Sequence, residues 1–148
     1  LQYEKLITKI NVRPSVFNKI DKILIHSYKN KLENNINFAI TKGKLSLNKS
    51  IPVRVLSLKI KNKNILKKSE IKKNLKFLSK YKNYLLLIIN KAYKTNDNNI
   101  NTLRYYGIGA QIIKDLNVKN MILISRSRKK IIGLEGFGLK IKKQKIIK

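Results

Sequence analysis

The spacing of apolar residues predicts a helix over residues 69–81. Ile71, Leu75 and Leu78 form one narrow apolar stripe, and lysines cover the other faces. Ser69 is a candidate N-cap, because its hydroxyl can accept a hydrogen bond from a backbone N–H of the first turn. The continuous apolar run that follows, at residues 84–89, predicts a strand buried on both faces.

A second helix is predicted over residues 103–116, where apolar side chains again recur at helical spacing. Thr102 can cap the start of this helix. Asn117, which follows the predicted range, favours the end of the helix at that point. An asparagine-rich loop precedes the helix at residues 91–100, and a short buried strand follows it at residues 121–124. The apolar stripe of this helix consists of Ile108, Ile112, Ile113 and Leu116.

The first half of the chain carries shorter patterns. A short helix is predicted within residues 1–10 from the spacing of Leu6, Ile7 and Ile10. A strand is predicted over residues 51–60, where apolar and polar residues alternate and where Pro52 lies at the start, a position that tolerates the missing N–H donor. Further strands are predicted at residues 16–27 and 37–40, and turns at residues 28–35 and 41–44.

This order of strands, helix, strand, helix and strand predicts a mixed α/β or α+β fold, with one mixed sheet and two or three helices. A length of 148 residues suits a single domain, and no internal repeat divides the chain. We therefore expect one domain over residues 1–148.

Five of the six glycines lie within residues 102–141. Gly107 and Gly109 fall inside the second predicted helix, where each costs roughly 1 kcal/mol relative to alanine. Another element or a ligand is therefore expected to approach them closely. After the buried strand, the sequence predicts a basic turn and then a strand interrupted by glycines.

The chain carries 35 Lys+Arg against 7 Asp+Glu, a formal net charge of +28. Such a balance suits a polyanionic partner, because lysines bind phosphate backbones through counterion release. Compositional drift also explains it, since Lys, Asn and Ile are enriched together and aromatic residues make up only 7%. The spread of the charge along the chain favours drift, and non-specific nucleic-acid binding is expected on either interpretation.

The residue inventory narrows the chemistry further. The lack of cysteine excludes disulfides, thiol nucleophiles and cysteine-ligated metals. His26 is the only histidine, and a lone imidazole on a strand is far more often structural than a metal ligand. No apolar run approaches the roughly 20 residues of a membrane span, and no signal peptide is evident, so we expect a cytoplasmic protein without a membrane partner.

A long motif runs through the glycine-rich stretch. It reads TLRYYGIGAQII from Thr102 and continues in register to SRSRKK from Ser125 and GLEGFGL from Gly133. This frame resembles the C-terminal signature of the GTP cyclohydrolase II family: Asp-x-Arg-Asp-Tyr-Gly-Ile-Gly-Ala-Gln-Ile-Leu, a strand, Thr-Asn-Asn-Pro-x-Lys and Gly-Leu-Glu-Gly-Tyr-Gly-Leu. The resemblance implies a GTP cyclohydrolase II-like fold and a link to riboflavin biosynthesis.

In that family, a zinc ion held by three cysteines activates the water that opens the imidazole ring of GTP. The first cysteine follows an Arg-Val-His-Ser-Glu segment, which resembles the run from Arg54 here. Arg54 and Ser57 keep the arginine and the serine, and Lys59 stands where the cysteine belongs. Because an ammonium group cannot act as a thiolate ligand, the resemblance predicts that zinc is lost and that no cofactor remains.

Two more features of the family site are changed. Residues 89–93 match the substrate-binding turn Arg-Gln-Glu-Gly-Arg but keep neither its glutamate nor its arginines, and residues 94–101 are too few for the helix that follows in the family. Thr102 stands in the place of the general-base aspartate. A hydroxyl cannot accept a proton near neutral pH as a carboxylate does.

The phosphate-facing half of the family site is kept. The resemblance gives Arg104 the place of the nucleophile toward the α-phosphate, and gives Ser125 and Lys130 the places of GTP contacts. We expect these three residues to line one concave basic site that binds phosphate or nucleotide weakly, with Arg54 and Ser57 as further GTP contacts. An unliganded basic turn after the strand stays open as the alternative.

Residues 3–7 are similar to the linker that joins dihydroxybutanone-phosphate synthase to GTP cyclohydrolase II in bifunctional enzymes. The first residue is also leucine rather than methionine. Both features favour the C-terminal lobe of a synthase fusion, with residues 1–12 as a candidate linker and an upstream synthase domain or a second copy as partner. Because the zinc ligands and the general base are lost, we expect this lobe to be degenerate and non-catalytic. Two alternatives stay open: an enzyme that releases pyrophosphate from GTP at Arg104 without zinc, and a basic nucleic-acid-binding module.

Overall fold

A computed structural model describes residues 5–31, 35–61, 64–91, 99–126 and 137–147, with only the backbone described at residues 99–106. These residues form seven strands, two α-helices and one 3-10 turn at Ile65–Lys67. The helices are α1 (Ser69–Leu78) and α2 (Asn99–Asp115). The strands are β1 (Ile7–Phe17), β2 (Asp21–Asn30), β3 (Ile36–Lys42), β4 (Ser50–Leu58), β5 (Tyr84–Asn90), β6 (Asn120–Ser125) and β7 (Lys140–Ile146).

All seven strands belong to one sheet, in the order β1-β2-β3-β5-β4-β6-β7. The pairs β1–β2, β2–β3 and β3–β5 are antiparallel, whereas β4 runs parallel to both β5 and β6, and β6 runs parallel to β7. The mixed α/β fold predicted from the element order is therefore confirmed. Within the described residues, no helix is long and apolar enough to cross a membrane.

One helix covers each face of the sheet. On the face that we call the α2 face, Val53 and Leu87 pack with α2. On the opposite face, the α1 face, Leu56 and Leu86 pack with α1. Every residue of β5 is buried, as the continuous apolar run predicts for a strand at the centre of the sheet.

The helix predicted within residues 1–10 is wrong, because Ile7–Phe17 forms β1 and pairs with β2 along its length. Residues 1–4 lie outside the described residues. Pairing with a neighbouring strand outweighs the helical spacing of three apolar residues, because it satisfies the backbone along the whole segment. The linker predicted over residues 1–12 thus overlaps β1, and its role between domains stays a prediction.

The single strand predicted over residues 16–27 is also wrong, because the chain turns back within it. Asn18 and Lys19 have φ values of 54° and 64°, and the N–H of Ile20 donates to the carbonyl of Phe17 at 3.3 Å. This turn has no glycine, so it lacks the usual hairpin signal. β2 then continues to Asn30, so the turn predicted at residues 28–35 begins too early.

The later strands follow the predictions more closely. β3, β5 and β6 cover the strands predicted there, whereas β4 ends at Leu58, two residues before the predicted end of its strand. The turn predicted at residues 41–44 starts only at Gly43, which has a φ of 72°. The predicted basic turn from residue 127 and most of the glycine-punctuated strand lie outside the described residues, and β7 begins only at Lys140.

The helices were predicted better in their interiors than at their ends. α1 ends at Leu78, and Lys68 rather than Ser69 is its N-cap residue, without a side-chain hydrogen bond. α2 begins at Asn99, so Thr102 lies inside the helix and is not its cap. The predicted end at Asn117 is confirmed, since Asn117 follows α2 with a φ of 63°.

Another part of the chain closely approaches one of the two glycines of α2, whereas a close approach was predicted for both. A Cβ atom on Gly109 would lie 3.3 Å from Cδ2 of Leu87, which is tight for such a contact. A Cβ atom on Gly107 would lie 3.6 Å from Cζ of Phe137, an ordinary van der Waals distance. Only Gly109 is therefore required by the packing of α2 on the sheet.

Gly107→Ala and Gly109→Ala form a matched pair of variants. We expect Gly107→Ala to raise the free energy of unfolding by up to about 1 kcal/mol, because alanine favours the helix and its methyl group fits. Gly109→Ala gains the same propensity but displaces Leu87, so its net effect should be smaller or destabilising. Urea unfolding measures both, and a Gly109→Ala protein more stable than Gly107→Ala would contradict this packing.

Candidate functional site

The parallel part of the sheet brings several predicted site residues to one edge. β5, α2 and β6 follow one another along the chain, and both strands run parallel to β4. α2 must therefore start at the edge where these three strands end, which we call the carboxyl edge. Ser57 lies next to the last residue of β4, and Ser125 is the last residue of β6.

Arg104 lies in the first half of α2. Gly109, five residues later, packs against Leu87 and Ile89 near the end of β5. With a rise of about 1.5 Å per residue, the backbone of Arg104 lies roughly 7 Å farther toward the carboxyl edge. Its side chain and the whole of Lys130 lie outside the described residues, so the pocket predicted from Arg104, Ser125 and Lys130 stays a prediction.

Ser57 and Ser125 share the α2 face, because side chains alternate along a strand. The residues on either side of Ser57, Leu56 and Leu58, pack on the α1 side. The same holds for Ile124, which precedes Ser125. Ser57 is exposed and Ser125 is buried, and they lie on adjacent parallel strands.

Arg54 points to the α1 face instead. Its Nε donates to Oδ1 of Asn74 in α1 at 3.1 Å, and its Nη1 lies 3.4 Å from the carbonyl oxygen of Ile124. Burial lowers the pKa of Arg54, nearby Arg126 lowers it further, and Glu70 raises it. The Arg54 guanidinium is thus separated from the two serines by the sheet itself.

Asn90 ties together the segments that leave β4 and β5. Its Oδ1 accepts from the N–H of Ile60 at 3.1 Å, and its Nδ2 donates to the carbonyl of Ile36 at 3.1 Å. The N–H of Lys91 donates to the carbonyl of Leu58 at 2.8 Å. Asn90 therefore has a structural role within the stretch that resembles the substrate-binding turn. Sequence reasoning missed this role, and the one signal for it was an asparagine that ends a wholly apolar strand.

The residues after β4 do not fit a zinc site. Lys59, which matches the first family cysteine, is exposed, and its carbonyl accepts a hydrogen bond from the ammonium of Lys68. Within the described ranges, no three His, Cys, Asp or Glu side chains come together. The complete sequence contains no cysteine that could supply a thiolate.

His26 lies on β2, near the C-terminal end of α2. The side chain is 6% exposed, and its Nε2 lies 2.8 Å from Oγ1 of Thr41. Burial, together with the charge of Lys9, lowers the pKa of His26 to about 4, although Asp115 partly offsets the shift. This buried, hydrogen-bonded position agrees with the structural role predicted for the lone histidine.

The low pKa of His26 should make the protein less stable in acid. The folded state resists protonation of His26 down to about pH 4, whereas the unfolded chain takes up the proton near pH 6.5. The unfolded state therefore binds more protons in this window, and stability present above pH 6.5 is lost as the pH falls to 4, by about 3 kcal/mol at most.

Urea unfolding between about pH 4 and pH 8 tests this for the parent and for His26→Gln. The carboxylates are common to both proteins, so the difference between the two curves isolates His26. We expect the parent to lose more stability than the variant toward low pH. Parallel curves would contradict the assignment.

The sequence is similar to one family model and to several proteins of riboflavin biosynthesis. Residues 67–145, more than half of the chain, match the family model described as GTP cyclohydrolase II. The chain is 46% identical over 63 residues to riboflavin biosynthesis protein RibBA of Bacillus subtilis. This match covers 34% of this chain and 16% of that protein. It is 30% identical over 147 residues to RibBA of Aquifex aeolicus, with coverage of 79% and 36%.

A solved structure shares the fold. The crystal structure of RibBX, a two-domain 3,4-dihydroxy-2-butanone 4-phosphate synthase from A. baumannii, matches with a TM-score of 0.69 and 20% identity. The match covers 97% of this chain and 41% of the RibBX chain. The chain therefore spans well under half the length of each of these three proteins.

Proposed function

Because the chain belongs to the GTP cyclohydrolase II family, we propose that it is a non-catalytic member that supports riboflavin biosynthesis beside a 3,4-dihydroxy-2-butanone 4-phosphate synthase. The observation that carries the proposal is the presence of a lysine, Lys59, at the position of a metal-binding cysteine. Lys59 follows β4 where the family resemblance puts the first zinc-binding cysteine, in a chain without any cysteine.

The chemistry of ring opening supports a loss of catalysis. Zinc would supply a water activated for attack at neutral pH, and this chain offers no thiolate to hold the metal. Thr102 replaces the general base, and its hydroxyl does not accept a proton near neutrality. His26 cannot substitute, because it is buried against Thr41 near the opposite end of α2.

Two residues at positions that resemble the family's substrate-contacting segments serve the fold here. Arg54 is hydrogen-bonded to Asn74 and so ties β4 to α1. Asn90 ties the exit of β5 to Ile60 and to Ile36 at the start of β3. These contacts suit a domain whose carboxyl edge is held rigid rather than arranged around a metal.

The relatives support the association with a synthase. RibBA is named for riboflavin biosynthesis, and RibBX is described as a two-domain synthase of which this fold makes up 41%. We propose that the domain supports such a synthase, either within one polypeptide or as a separate subunit. In this proposal the two serines of the carboxyl edge, Ser57 and Ser125, bind phosphate or GTP weakly, together with Arg104 and with Lys130, which the family resemblance assigns to the same pocket.

Zinc analysis and GTP turnover test the loss of catalysis. We expect the purified protein to hold far less than one zinc per chain, and to release neither formate nor pyrophosphate from GTP with or without added zinc. Stoichiometric zinc, or zinc-dependent release of formate, would overturn the proposal. Pyrophosphate release without formate that disappears in Arg104→Ala would identify a zinc-independent enzyme instead.

Calorimetry with GTP tests the retained half-site. Loss of one charge-assisted hydrogen bond removes about 1.5–3 kcal/mol, so Arg104→Ala should weaken binding roughly tenfold or more. Lys49→Ala is a matched control, because it removes the same charge from an exposed position just before β4, at the opposite edge. The same affinity for the parent and for Arg104→Ala would contradict the assignment.

A further inference from the structure

Lysines and aromatic rings meet on one surface between α1 and β7. The ring centroids of Phe77 and Tyr81 lie 6.4 Å apart in an edge-to-face arrangement, and both side chains are partly buried. Nζ of Lys80 lies 4.1 Å from the centroid of Phe77 and 5.3 Å from that of Tyr81. Nζ of Lys145 lies 3.0 Å from the Tyr81 hydroxyl. We call these four residues the aromatic–lysine patch.

Further lysines extend the patch on both elements. Lys143 lies two residues before Lys145 on the same side of β7, about 6.8 Å away along the strand. Lys76 lies four residues before Lys80, near the end of α1, and is exposed. The cations near the aromatic pair therefore come from two separate elements, the end of α1 and β7.

No carboxylate forms an ion pair with the patch among the described residues. Lys80 and Lys145 both lie against the ring of Tyr81, and their mutual repulsion would fall if an anion bound between them. The described acids are held elsewhere: Asp21 is 2.9 Å from Lys42, Asp115 is 3.7 Å from Lys9, and Glu70 lies in the first turn of α1.

This combination fits single-stranded nucleic acid better than other polyanions. Unpaired bases stack on aromatic rings, and phosphates between them bind ammonium groups. A duplex hides its bases, and an acidic peptide gains nothing specific from two rings. Compositional drift accounts for the number of lysines but gives no reason for their position around this aromatic pair.

We propose that the aromatic–lysine patch binds single-stranded nucleic acid, with phosphates on Lys80 and Lys145 and a base stacked on Phe77 or Tyr81. The long, exposed side chain of Lys80 can leave the face of Phe77 when a base stacks there. The site lies on the α1 face and is independent of the phosphate site proposed for the α2 face.

Fluorescence anisotropy with a labelled oligouridylate tests the charged part of the patch. The double variant Lys80→Gln/Lys145→Gln is compared with Lys44→Gln/Lys49→Gln, which removes the same charge from exposed positions in the loop between β3 and β4. We expect the patch variant to bind at least tenfold more weakly than the control. Loss of two phosphate contacts should also reduce the magnitude of the slope of log K against the logarithm of the salt concentration by about 1.4, since each contact to a single strand contributes about 0.7.

Two variants of Tyr81 test the stacking part. Tyr81→Phe keeps the ring and should bind the oligouridylate nearly as tightly as the parent does. Tyr81→Leu loses the ring, and its affinity should fall by roughly fivefold or more. Circular dichroism checks folding, and the lysine variants decide the outcome if Tyr81→Leu does not fold. Equal losses in the two lysine double variants, or competition by polyglutamate as effective as that by oligouridylate, would overturn the proposal.

Discussion

The burial of β5 on both faces is the constraint from which the rest of the structure follows. Since neither face of this strand can contact water, one helix must cover each side of the sheet, and α1 and α2 do so. α2 connects β5 to a parallel strand, so its first half must lie where the strands end. The place of the candidate phosphate site is thus a consequence of the way the core is covered.

The alternation of side chains along β4 then separates two residues of the predicted GTP site. Arg54 and Ser57 are close in sequence but face opposite sides of the sheet, and only Ser57 shares a face with Ser125. Arg54 instead stabilises the packing of α1 through Asn74.

The sequence predicted the elements of the core well and the edges poorly. α1, α2, β5 and β6 carry long periodic or wholly apolar segments, and such patterns depend little on partners. The β1–β2 hairpin was missed because its turn at Asn18 has no glycine and because strand pairing is a non-local interaction. The alternation along β4 could have separated Arg54 from Ser57, but the role of Asn90 required knowledge of which segments meet.

Amide chemical shifts during a titration with pyrophosphate test whether an anion binds at the carboxyl edge on the α2 face. We expect the amides of Ser57, Ser125 and the first half of α2 to shift together in fast exchange. The amides of Arg54 and Asn74 on the α1 face should stay unchanged. Shifts centred on Arg54 and Asn74, with the two serines unaffected, would contradict this expectation.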